Sequence, residues 1–356
     1  MKDIRCAGYL AMFLPGALLI TGAAVGLAWL LPIAYFVGFP LLRMIFGSQP
    51  DGGQSDWAAW EVIILDWMPR LFIFAFSATM IWTLGQVELL AGSLTLSSVG
   101  FMVSVLVMCG LASCVAHDLA HRESRWDRRG ASLICAVAGY PFFVFEHLDH
   151  HRHSRDTASA HCARLDESVW AYVTRRFLKA PGQAITMSRT ISSAGKASVL
   201  DGVAPYIALS VVCWIAFAAA GGWYGAALYA LLVIGVPFLL NTITYIQHWG
   251  LGDDNPHIPS QVRQIGWDDD CRFEAWMILG ISFHEQHHQQ PRLPYYRYGP
   301  TRGAPKLPAE YAIMVLICFI PALWRRVMRP VLAAWQANPQ ALRSAGRGIY
   351  SRSVVR

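Results

Sequence analysis

Residues 202–252 contain no Asp, Glu, Lys or Arg. A helix crosses the apolar core of a bilayer in about 20 residues, so this one stretch has room for two crossings and a tight reversal. The pattern recurs. Residues 7–42 are also free of charge, and between residues 71 and 116 the only charged side chain is Glu88. Together the three stretches predict six crossings in three hairpins, near 8–29 and 30–47, 69–90 and 97–118, and 203–221 and 224–246. The first reversal is expected at Leu31-Pro32, and Glu88 falls near the second. Composition agrees: 15% of the chain is charged, against about 25% in soluble domains. The expected fold is an all-α integral membrane protein, a single domain over residues 1–356. Its hairpins lie near 8–47, 69–118 and 203–246, and the segments near 119–202 and 247–356 form a helical cap.

The leader-like Met1-Lys2-Asp3-Ile4-Arg5 precedes an apolar run longer than a cleavable signal carries. Orientation follows from Lys and Arg, which accumulate on the cytoplasmic side. The predicted hairpin tips near Leu31, residues 89–98 and Gly222 hold none, whereas the opposite side holds Arg122, Arg125, Arg128, Arg129, Arg152, Arg155, Arg175, Arg176, Lys179, Arg325, Arg326 and Arg329. Both termini and the cap are therefore expected in the cytoplasm, with a bacterial inner membrane as the expected location. The basic tail 344–356 is expected to fray. The net charge of +6 follows from the same bias and suits an acidic soluble partner; no basic stripe belongs to a nucleic-acid module. The eight cysteines are scattered without a C-x-x-C, which argues against a disulfide framework or a thiolate metal site.

Nine of the twelve histidines fall in a pattern. "HDLAH" places His117 and His121 four apart. "HLDHH" places His147, His150 and His151 at i, i+3 and i+4, and "HEQHH" repeats that spacing with His284, His287 and His288. On a helix these offsets share one face. Imidazole is the commonest metal ligand and suits iron, zinc and copper. Eight such ligands exceed what one ion takes, so the spacing implies two metals. His248 ends the sixth apolar run, and all nine reach the same membrane face in the predicted topology. His153, His161 and His257 fall outside the pattern and are expected to be solvated or to support the ligands. Soluble di-iron bundles pair two Glu-x-x-His motifs; here only Glu285 and His288 form one. Glu285, with Asp118, Glu146 and Asp149, is instead a candidate to orient imidazoles through their free N–H, as is Gln247 beside His248; solvated charges flanking the helices are the plainer reading of the acidic four.

The chain here resembles the membrane-bound, histidine-rich di-iron enzymes, and within them the alkane 1-monooxygenase and xylene monooxygenase family. The likeness runs over about residues 116–335 and follows the order of the family's motifs: "AHDLAHR", "GYPFFVFEHLDHHRHSRDTA", "ARLDESVWAY", "TYIQHWGL", "SFHEQHHQQP" and "LPAEYAIMVLICFIPALWRRVMRP". Three positions depart from it. Asp118 stands where Glu is usual, Gln247 replaces a Glu, and the second motif reads H-x-x-H-H, the desaturase spacing, instead of H-x-x-x-H-H.

The resemblance implies two non-haem irons held by histidine, dioxygen as co-substrate, and hydroxylation of an alkyl methyl group in an alkane, fatty acyl chain or alkylbenzene. It also implies rubredoxin or ferredoxin with its reductase as electron donor, since the chain shows no flavin, nicotinamide or iron–sulfur fingerprint of its own. The alternatives are a desaturase or a decarboxylase forming terminal alkenes on the same scaffold, and a metal transporter. A transporter places its ligands near the bilayer midplane, whereas these motifs gather at one face.

Overall fold

The computed structural model describes residues 5–49, 56–90, 94–193, 198–258 and 265–338. The tail 344–356 and residues 91–93 of the second predicted tip lie outside them. Among the described residues the fold is helical, with isolated bridges in place of strands. Four helices are long and apolar enough to cross a membrane: Cys6–Ala24, Ala59–Leu90, Leu96–His121 and Ala204–His248. The apolar stretch Leu30–Phe46 is shorter.

The first of these is a 3-10 segment, Arg5–Phe13, running into α1 (Leu14–Ala24). The chain reverses over residues 25–29, where Gly26 takes φ +74°, a conformation that costs glycine little. It returns through α2 (Leu30–Ile33) and α3 (Phe39–Phe46). The reversal thus lies several residues before the expected Leu31-Pro32. Pro32 sits inside the first turn of α2, where its missing N–H is an orphan in any helix. The second pair is α4 (Ala59–Leu90) and α5 (Leu96–His121). α4 starts ten residues before the predicted crossing at 69. That extension carries Glu61 and Asp66; Asp66 accepts the Tyr296 hydroxyl at 3.1 Å and the Leu65 carbonyl accepts that of Tyr295 at 2.8 Å.

The third pair is one continuous assignment, α9 (Ala204–His248), that folds back on itself. Gly221 leaves helical geometry and Gly222 takes φ +56°. Ser210 Oγ and Tyr229 Oη lie 3.1 Å apart, and the Trp214 indole N–H donates to the Ala226 carbonyl at 3.2 Å. In a straight helix, at about 1.5 Å per residue, positions 210 and 229 would be separated by roughly 28 Å. A β-carbon on Gly225 would meet the Phe217 carbonyl at 1.8 Å, so only glycine lets the two limbs pass.

The reversals gather at one end. Trp29 Nε1 donates to the Leu96 carbonyl at 2.9 Å, and Tyr224 Oη to the Ser98 carbonyl at 2.8 Å. Histidines occupy the other end, because α5 and α9 both terminate there in His121 and His248. Over that end fold α6 (Arg125–Val137), α7 (Phe143–His153), α8 (Val169–Ser193), α10 (Arg272–Met277), α11 (His284–Gln289), α12 (Tyr311–Cys318) and α13 (Pro321–Gln336).

Candidate metal centre

Each histidine is placed by an element whose local geometry its sequence sets. His117 and His121 occupy the last two turns of α5, one turn apart on the same face. His147, His150 and His151 do the same on α7, and His284, His287 and His288 on α11. With only six residues, α11 draws much of its hold from outside. The Asp268 carboxylate accepts the Glu285 backbone N–H at 2.8 Å and that of Thr301 at 2.9 Å, pinning the first turn of α11 to a loop.

The motifs converge on two adjacent points. His117, His121, His147, His151 and His287 form one group, and His150, His248, His284 and His288 a second; within each, the ligand atoms lie within 4.8 Å of one another. In the first group His121 and His151 each approach His147, and His287 approaches His151, at 2.9–3.0 Å between Nε2 atoms. In the second, His150 and His284 approach His248 at 3.1 and 2.9 Å, and His288 approaches His284 at 3.0 Å. All nine predicted histidines are thus brought together.

Two of these rings have their far nitrogen tied down. His248 Nδ1–H donates to the Ile265 carbonyl at 3.0 Å. His287 Nδ1 lies 3.2 Å from Tyr298 Oη, whose own proton goes to the Gln290 carbonyl at 3.1 Å. Both arrangements leave a lone pair on Nε2, the nitrogen aimed inward. Burial, reinforced by neighbouring imidazoles, pushes His147, His150, His151, His284, His287 and His288 well below the usual imidazole range. They are held neutral, the form that binds a metal. His117 Nε2 is buried with no hydrogen-bond partner. Several inward lone pairs cannot satisfy one another, since a neutral ring has a single N–H to give. A cation at each point of convergence satisfies them, and an all-nitrogen set of this kind fits iron, zinc or copper.

The candidate orienting residues have partners of their own. Asp118 pairs with Arg122 at 2.9 Å. Glu146 forms a buried ion pair with Arg176. Asp149 lies 3.2 Å from His161 and 3.5 Å from His153. Gln247 donates to the Tyr311 hydroxyl at 3.2 Å. Glu285 accepts the Gly266 N–H at 3.0 Å and the Gln289 amide at 2.6 Å. His257 is exposed.

Sequence reasoning missed Tyr298, Asp268 and Arg176. It counted Arg176 among the surface charges that set orientation, but the residue is 1% exposed, between Glu146 and Gln183. The i, i+4 spacing of Tyr172 and Arg176 on the buried face of α8 was the available signal.

An apolar pocket adjoins the first group. α5 lines it from Val107 to His117, with Leu239 and Ile243 opposite and Phe36 closing one side. The pocket lies between the membrane-type helices and ends at a histidine of the cluster.

A family model described as fatty acid desaturase matches residues 92–317. The chain is 26% identical to alkane 1-monooxygenase 1 of Pseudomonas aeruginosa, covering 88% of this chain and 85% of that protein. It is 23% identical to alkane 1-monooxygenase 2 of Alcanivorax borkumensis, with coverages of 86% and 83%. Alkane 1-monooxygenase 2 of Pseudomonas aeruginosa is likewise 23% identical, with coverages of 88% and 86%.

Proposed function

The chain belongs to the fatty acid desaturase family, and from that premise we propose that it is a membrane di-iron monooxygenase that hydroxylates an unactivated alkyl C–H. The observation that carries this reading is the meeting of an apolar pocket with two all-histidine groups. The substrate class is an alkane, a fatty acyl chain or an alkyl-aromatic with a terminal methyl.

The nine histidines would hold two irons, one in each group. Bound there, the irons supply the dioxygen activation and C–H oxidation that side chains cannot perform. The chain supplies the surroundings. Leu111, Phe36 and Ile243 exclude water and admit an alkyl chain, which enters from the lipid between helices. Tyr298 and the Ile265 carbonyl fix two ring tautomers. The Arg176–Glu146 pair holds α8 against the residue preceding His147.

The six apolar limbs are read as six crossings, with the histidine end and both termini in the cytoplasm. Electrons come from a rubredoxin or ferredoxin and its reductase. Among the arginines at 122–129, a docking role rests mainly on Arg125, which is exposed. Arg122, Arg128 and Arg129 spend their guanidinium groups on Asp118, on the Glu123 carbonyl and on Asp201.

The H-x-x-H-H spacing favours one second reading, alkene formation by desaturation or decarboxylation. Turnover of an alkane and of a fatty acid under labelled dioxygen separates the two. Label in a primary alcohol supports hydroxylation; an unlabelled alkene replaces it with the second reading.

A further inference from the structure

The apolar pocket contains one carboxyl group. Glu274, on α10, lines it together with His117, Cys114 and Tyr35, yet is buried. Its partners explain how it is kept there. Glu274 Oε2 accepts the Tyr311 backbone N–H at 3.2 Å. Beside it stands Asp269, 1% exposed, whose Oδ1 accepts the Cys271 backbone N–H at 3.0 Å and the Arg43 guanidinium at 3.3 Å. Asp269 Oδ2 is buried with no hydrogen-bond partner, and the Asp269 side chain meets that of Glu274. Ionised carboxylates only accept hydrogen bonds. Two of them in contact require a proton between them.

The pair also has two ends. Outward, Arg43 continues to Asp270 at 2.6 Å and Glu310 at 3.4 Å, and Lys306, 42% exposed, lies 3.6 Å from Asp270. Inward, Glu274 lines the same pocket as Cys114 and His117, which sit one turn apart on α5. The other titratable groups around the pair are Tyr35, Cys114, Cys271 and Tyr311.

We propose that Asp269 and Glu274 share one proton and form the route by which protons pass from the Arg43–Asp270–Lys306 rim to the pocket beside His117. The proposal rests on the hydroxylation reading. That reaction is R–H + O2 + 2 e− + 2 H+ → R–OH + H2O, with both electrons from the iron–sulfur carrier protein. One oxygen atom enters the C–H bond and the other departs as water, so two protons must reach a pocket walled by hydrocarbon. Glu274 gives its proton toward the departing oxygen, Asp269 passes the shared proton to Glu274, and water at the rim restores Asp269. Burial raises both carboxyls above their usual range, and Asp269 raises Glu274 further, which favours a retained proton on the inner acid.

Glu274→Gln keeps the shape and hydrogen-bonding capacity but cannot give up a carboxyl proton. In the resting protein, the infrared band of a protonated carboxyl should be present in wild type and lost in the variant. With bound iron unchanged, alcohol formation should fall roughly a hundredfold or more, as removal of a general acid predicts, and dioxygen consumption should divert to hydrogen peroxide. Asp269→Asn repeats the test at the outer carboxyl. Wild-type alcohol yield per dioxygen in both variants, or no carboxyl band in wild type, would overturn the proposal. Absence of any oxygenated product from wild type would sink the hydroxylation reading instead, and the infrared result needs no turnover.

Discussion

At the scale of single residues, the nine histidines were legible because ligand geometry leaves a spacing signature. An i, i+3, i+4 set points one way from any helix, and two such motifs, with the i, i+4 pair His117 and His121, declared themselves without a fold, while His248 was placed by the end of the sixth apolar run. What oriented the rings was not legible. The Ile265 carbonyl is backbone and has no residue-type signal, and Asp268 acts from 17 positions before Glu285. Tyr298 acts through its hydroxyl on His287 Nδ1. Tyr298→Phe should therefore weaken metal affinity by about 10- to 100-fold, the usual effect of losing a ligand's outer hydrogen bond, while leaving the fold intact; competitive chelation measures it. His287→Ala and His150→Ala should each lose bound iron and abolish turnover, whereas exposed His257→Ala should match wild type in both.

At the scale of elements, charge gaps located the helices but not their ends. The apolar part of α4 was visible, yet the helix continues ten residues further toward its N-terminus, where Leu65 and Asp66 accept the hydroxyls of Tyr295 and Tyr296. The reversal in α9 fell where expected, and its cause is conformational: Gly222 takes φ +56° and Gly225 passes against Phe217. Gly222→Ala should cost about 1–2 kcal/mol, the penalty for a left-handed residue with a β-carbon. Gly225→Val should be worse, since the carbonyl it meets is backbone and has no room to yield. Thermal unfolding in detergent ranks the two. The Arg176–Glu146 pair makes a different demand. Arg176→Ala strands a buried carboxylate and should cost about 3–5 kcal/mol. Arg176→Met combined with Glu146→Gln should recover much of that loss, because burying a well-packed neutral pair avoids the desolvation of two charges.

For the whole molecule, three reversals meet at one end and the histidines at the other. The two observations that anticipated this, the charge gaps and the histidine spacing, are independent in the sequence. Read as six crossings, this arrangement predicts that reporters inserted at residues 26 and 222 face outside and one at Lys179 faces inside. An outward Lys179 would contradict the orientation. The buried carboxyl pair, by contrast, was invisible along the chain, where Asp269 and Glu274 sit in an ordinary polar loop and short helix. Everything proposed for the pocket depends on the two histidine groups each holding an ion. The most direct test is iron per chain in the purified membrane protein, by elemental analysis together with Mössbauer spectroscopy of iron-57-enriched material. The account predicts two irons per chain in nitrogen-rich sites, with zinc and copper minor. A single iron per chain, or two zincs, would contradict it.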